Sequence, residues 1–128
     1  DYDSEKDYYY FPGGHVDFGE TLGETITREV REEFGEDIIF NFIKILYIRD
    51  FIPDKKNEHS IEIYALGNLN KYQELEGRAD TQFNGKTWLT WKDIDSLPSN
   101  LYPIKLIDRL VKDSKNNFPT QGEYLGRI

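Results

Sequence analysis

Gly13-Gly14-His15-Val16-Asp17-Phe18-Gly19-Glu20-Thr21-Leu22-Gly23-Glu24-Thr25-Ile26-Thr27-Arg28-Glu29-Val30-Arg31-Glu32-Glu33-Phe34-Gly35 is the stretch on which the reading of this chain turns. Pro12-Gly13-Gly14 is a turn, because proline and paired glycines break regular structure. Thr21-Leu22-Gly23-Glu24 has the form of a capping box, in which the Thr21 hydroxyl takes the third amide of a helix and Glu24 reaches back to Thr21. Leu22, Ile26, Val30 and Phe34 then recur every four residues as one apolar face. Gly35 stands where a left-handed cap is expected, so the helix should end near Phe34.

The same helix carries Arg28, Glu29, Glu32 and Glu33. At about 100° per residue the three glutamates fall within an arc of roughly 100°, and Glu33 projects between Leu22 and Ile26. Like charges at i, i+3 and i, i+4 repel, and partial burial penalises each ionised carboxylate. A divalent cation removes both penalties. Hard cations such as Mg²⁺ prefer carboxylate oxygen and keep waters while bridging to phosphates. A Glu-rich helix is more often a solvated acidic face, so the spacing has to decide.

Outward from this segment, Tyr8-Tyr9-Tyr10-Phe11 reads as a short strand after an acidic opening loop. Ile38 to Ile52 reads as a long strand ended by Pro53-Asp54, with a hairpin loop at Lys55 to His59 and a second strand at Ser60 to Leu69. A charged loop from Asn70 to Lys86 leads to a third strand at Thr87 to Trp91, then a helical turn at Lys92 to Leu97. Pro103 to Asp113 has the apolar period of an amphipathic helix, with Pro103 near its first turn. Ser114 to Ile128 has turn composition and no clear period. A mixed sheet with at least two helices implies an α/β sandwich in a single domain over residues 1–128.

Bulk properties narrow the function. At 128 residues the chain suits one compact domain. The net charge of -8 disfavours direct duplex nucleic-acid binding, which needs a basic stripe. The lack of cysteine excludes disulfides, thiolate metal sites and a cysteine nucleophile, leaving oxygen or the two histidines as donors. No apolar run has membrane-spanning length and no secretory leader opens the sequence, so a cytoplasmic protein with no membrane partner is expected.

The segment resembles the Nudix box, whose spaced positions are matched by Gly14, Glu20, Arg28, Glu29, Val30, Glu32, Glu33 and Gly35. Seven fixed identities at residue frequencies of about 6% arise by chance on the order of once in 10⁹ starting points. One position departs: Glu36 stands where the box ends on an aliphatic, and Ile38 follows two residues later.

The resemblance implies a Nudix-type α/β/α sandwich with a mixed sheet between helices. It also implies a strand well upstream of the box. Thirteen residues precede Gly14 and the chain has no methionine, so that strand is expected before Asp1.

Position by position, the resemblance makes Glu29, Glu32 and Glu33 metal ligands together with the Gly13 carbonyl, for Mg²⁺ or Mn²⁺. It makes Glu29 the first candidate for general base, places Glu29, Glu32 and Arg28 at the chemistry, and gives Glu20, Arg28, Gly14 and Gly35 orienting roles. Arg28 is expected to pair with Glu24 or Glu32, and Glu20 to close the loop onto the helix. Glu76 and Asp80 are weaker base candidates in the loop where some members carry an acid. His15 and His59 are read as surface or hydrogen-bonded histidines, and Tyr8, Tyr10, Phe18, Tyr47 and Trp88 as core rings first and base-stacking rings second.

The activity implied is divalent-metal-dependent hydrolysis of a phosphoanhydride bond in a nucleoside diphosphate linked to another moiety. Hydrolysis of a (deoxy)nucleoside triphosphate, or a non-catalytic nucleotide-binding regulatory domain, are the alternatives. The partner is a nucleotide-like small molecule, with a homodimer left open.

Overall fold

The computed structural model describes residues 8–78 and 89–128. They fall into two compact units, one of residues 8–11, 44–66 and 93–128, the other of residues 12–43, 67–78 and 89–92. The architecture is α/β, with a mixed sheet and two helices.

The second unit holds the decisive segment. Helix α1 spans Leu22–Phe34, and its capping box forms as the sequence predicts: Glu24 N–H donates to Thr21 Oγ1 at 3.2 Å, and Thr21 N–H donates to Glu24 Oε1 at 2.9 Å. Phe34, Ile38 and Leu75 make this unit's core, with Val30, Leu69 and Leu89 packed around them. Ile38 is only 1% exposed; it supplies the apolar contact that Glu36 cannot.

Gly35 terminates α1, but not with the left-handed cap expected. Its φ of 124° and ψ of 151° put it in an extended form open to glycine. Arg78 takes over the capping, donating from Nη1 to Phe34 O at 2.6 Å.

In the first unit, β1 (Tyr9–Tyr10) pairs in parallel with β4 (Leu101–Tyr102). Helix α2 (Ile104–Lys115) follows Pro103, which is its N-cap, next to the first turn. Leu46, Tyr47 and Leu106 form the core here. Within it, the Tyr47 hydroxyl donates to Asp113 Oδ2 at 2.6 Å, and Arg109 Nε and Thr120 Oγ1 donate to the same oxygen at 3.0 Å each.

Strands β2 (Phe40–Phe51) and β3 (Ser60–Leu69) each contribute residues to both units, and β5 (Glu123–Arg127) completes a sheet of order β3-β2-β5. The segments predicted at Ile38 to Ile52 and Ser60 to Leu69 are therefore strands, the first trimmed at its ends.

β5 corrects the reading of the tail as irregular. It runs parallel to β2, with Ile48 opposite Tyr124 and Asp50 opposite Arg127, so the register slips by one residue. Gly126, at φ 73°, lies in that slip, and the glycine and bulge together hide the alternation that marks a strand. The two-residue β4 was likewise too short to leave a period.

Of the strand expected at Thr87 to Trp91, Thr87 and Trp88 lie outside the described residues. Leu89 to Trp91 is not a strand, although Leu89 bonds Gly77 and Arg78 through its backbone at 2.8 and 2.7 Å. The turn at Lys92 to Leu97 contains a 3₁₀ helix at Ile94–Ser96, and another, Tyr72–Glu74, interrupts the charged loop.

Candidate active site

The glycine turn, the loop to Glu20 and the acidic edge of α1 all belong to the second unit, and Arg28 ties them together. Its Nε donates to Glu20 Oε2 at 2.8 Å and its Nη2 to Glu20 Oε1 at 3.0 Å, a bidentate pair. Nη2 also donates to the His15 carbonyl at 2.8 Å, Nη1 to Glu29 Oε1 at 2.8 Å, and Nη1 to Glu32 Oε2 at 3.3 Å. Asp17 adds a longer ion pair at 3.5 Å. One guanidinium thus spans the loop and two of the three glutamates of the acidic edge.

Glu20 is the other half of this joint. Besides Arg28, it accepts from Asp17 N–H at 2.9 Å and from the Thr25 hydroxyl at 3.1 Å. The Arg28 hydrogen bonds first, and the Asp17 amide second, hold its carboxyl down at about 2. The Arg28 guanidinium is in turn raised above its ordinary value, by Glu20 and then by Glu29.

Of the two partners expected for Arg28, Glu32 is present and Glu24 is not. Glu24 is spent on the capping box, where the Thr21 amide holds its carboxyl below the usual range. The sequence reading missed the His15 carbonyl, Asp17 and Thr25. Asp17 in the loop and Thr25 in the first turns of α1, both spaced to reach Glu20, were the available signal.

The acidic edge is graded in exposure. Glu33 is 7% exposed, as its projection between Leu22 and Ile26 requires, whereas the Glu29 side chain is 12% and the Glu32 side chain 44% exposed. The Glu29 carboxylate lies where a Cβ on Gly14 would have to stand, while a Cβ on Gly13 would meet nothing within 4 Å. Gly14 is thus a glycine because Glu29 fills its side-chain space, and Gly13 is open to approach.

Glu76 is engaged elsewhere in this unit. It accepts from Trp91 N–H at 2.8 Å and from the Thr90 hydroxyl at 2.9 Å, the first of which chiefly holds its carboxyl below the usual range. Asp80 lies outside the described residues.

The profile of the NUDIX domain matches residues 2–110. The chain belongs to the Nudix family. Among Nudix relatives it is 30% identical over 97 residues to the nucleoside triphosphatase NudI of Enterobacter sp. (strain 638), a match taking in 69% of this chain and 65% of the relative's length. Nudix enzymes generally use divalent metals such as Mg²⁺. The donor chemistry here fits such an ion, since every side chain offered is a carboxylate. Among the described residues no three acidic or histidine side chains converge closely enough to hold a cation as they stand. Glu29, Glu32 and Glu33 leave one helix edge, so their side-chain torsions decide that convergence.

Proposed function

We propose that this Nudix chain, as a single domain with the family's α/β/α sandwich, hydrolyses a phosphoanhydride bond in a nucleoside diphosphate linked to another moiety, using Mg²⁺ or Mn²⁺. The observation that carries this reading is the Arg28 joint: one cation binds the loop through Glu20 and steadies Glu29 and Glu32 on the helix. A helix that merely displays acid to solvent needs no such brace.

In this reading Glu29, Glu32 and Glu33 with the Gly13 carbonyl hold the cation, which when bound neutralises phosphate charge and makes the attacking water more acidic. Glu29, fixed by Arg28 beside the backbone of Gly14, accepts the proton of that water. Gly13 admits the diphosphate to the backbone, because it presents no side chain and nothing stands within 4 Å of where one would be, whereas the space at Gly14 is taken by Glu29 itself. Arg28 and Glu20 position these groups, and Gly35 with Arg78 fixes the helix end next to Glu33.

The relative named a nucleoside triphosphatase favours a second substrate reading, a nucleoside triphosphate. Incubation with Mg²⁺ and a set of nucleotides, reading phosphate, pyrophosphate or nucleoside monophosphate release, separates the two. In the same assay Glu32→Gln should lose turnover while keeping nucleotide affinity. A parent protein that binds nucleotides but cleaves no diphosphate or triphosphate is a regulatory binding domain instead.

A further inference from the structure

Tyr72 and Trp91 lie in the same compact unit as the acidic helix, with ring centroids 4.7 Å apart and planes inclined by 28°. Both remain open to water, Tyr72 at 40% and Trp91 at 48% exposure. Tyr72 covers one face of Trp91, yet nearly half of the indole residue still meets solvent. Two large rings stacked on each other and half open to water make a contiguous apolar surface of the kind that ligand sites use.

The surrounding bonds hold the pair in place. Glu76 clamps Trp91 N–H and the Thr90 hydroxyl, at 2.8 and 2.9 Å. Leu89, two residues before Trp91, is partly buried against the cluster of Phe34, Ile38 and Leu75 and bonded by its backbone to Gly77 and Arg78. Arg78 donates to Phe34 O at 2.6 Å, the carbonyl immediately after Glu33. A continuous set of contacts therefore runs from the acidic edge of α1 to Trp91, and an extended chain allows at most about 7 Å between Leu89 and Trp91.

We propose that the Tyr72–Trp91 stack seats the nucleobase of the substrate, a deepening that rests on the hydrolase reading above. A flat heteroaromatic ring can extend an existing stack of two rings inclined by only 28°. Because every base has a π face, such a seat selects for the presence of a base rather than for its identity. Hydrolysis should therefore be tolerant among bases.

The test compares the parent with Trp91→Leu, Trp91→Phe and, as an exposed ring of the other unit, Tyr102→Ala. Each is assayed with nucleotides of all four bases and with inorganic tripolyphosphate as a probe lacking a base. Tryptophan fluorescence on AMP addition in EDTA gives a readout independent of turnover. Trp91→Leu should raise KM for every nucleotide roughly tenfold, leave kcat/KM on tripolyphosphate unchanged and abolish the quench, and Trp91→Phe should recover most of the nucleotide KM. Circular dichroism checks that the leucine variant is folded; if it is not, the phenylalanine variant and Tyr72→Leu carry the comparison. An unchanged nucleotide KM in these variants, an equal loss on tripolyphosphate, or a loss confined to Tyr102→Ala overturns the seat. A parent without any hydrolysis overturns the hydrolase reading instead, and the AMP quench then decides the seat alone: its disappearance in Trp91→Leu supports it and its persistence refutes it.

Discussion

The carboxylate of Glu29 occupies the space that a side chain on Gly14 would need. Gly14→Ala therefore acts on Glu29. Because the obstacle is the tip of a flexible side chain, it swings away and the fold tolerates the change. Nucleotide turnover should fall at least about tenfold while the melting temperature moves by no more than a few degrees, equivalent to roughly 1 kcal/mol or less. Retention of full turnover in the alanine variant would mean that the position of Glu29 is immaterial to the chemistry.

Arg28→Lys keeps the charge and removes the fork. A lysine cannot span Glu20, the His15 carbonyl and Glu29 at once, because an ammonium is a point donor and a guanidinium is planar and bidentate. The expected outcome is a drop in kcat of about 10 to 100-fold with little change in nucleotide KM, measured by steady-state kinetics in saturating Mg²⁺. A change in KM alone would place Arg28 on the substrate.

Glu20 gives a pH signature. Its folded pKa lies at about 2 against an ordinary 4.5, so the folded form binds fewer protons than the unfolded chain between these values. The stability it contributes is fully present above pH 4.5 and is lost as pH falls toward 2. Urea midpoints measured across that window should decline more steeply for the parent than for Glu20→Gln. Parallel declines would show that the Arg28–Glu20 joint contributes nothing to folding.

The first unit has its own test in Tyr47→Phe. The lost hydroxyl leaves Asp113, which is 4% exposed, with Arg109 and Thr120 as its remaining side-chain donors on the shared oxygen. Burial pushes the Asp113 carboxyl up, and the bonds from Tyr47, Thr120 and Arg109 outweigh it, so the group sits below its usual range. Removing one of three donors should destabilise by about 1 to 2 kcal/mol, read from chemical denaturation, with nucleotide hydrolysis unaffected.

Removal of divalent cations by EDTA should abolish hydrolysis, and Mg²⁺ or Mn²⁺ should restore it. Hydrolysis that persists after exhaustive chelation would discard the carboxylates as cation ligands.

Helix α1 was legible because its information is local. The capping box, the four-residue apolar period and the acidic arc all lie within one segment, where geometry follows from helix pitch alone. β3 was equally legible, being bounded by turn residues and rich in strand formers. Glu33 was placed against the core seam by projection, and it is buried there.

What the tertiary structure alone decided is which long-range partners win. Glu24 was an eligible partner for Arg28 by spacing, but the helix start had already claimed it, and Glu20, eight residues back, became the main one. β5 becomes a strand because β2 offers it a ladder, across a register slip that its own sequence cannot announce. Glu76 was an acid in a suggestive loop until Trp91 and Thr90 bound it. In each case helix and cap bonds close over a few residues and can be read along the chain, whereas a carboxylate chooses its donor only after folding has brought the competitors within reach.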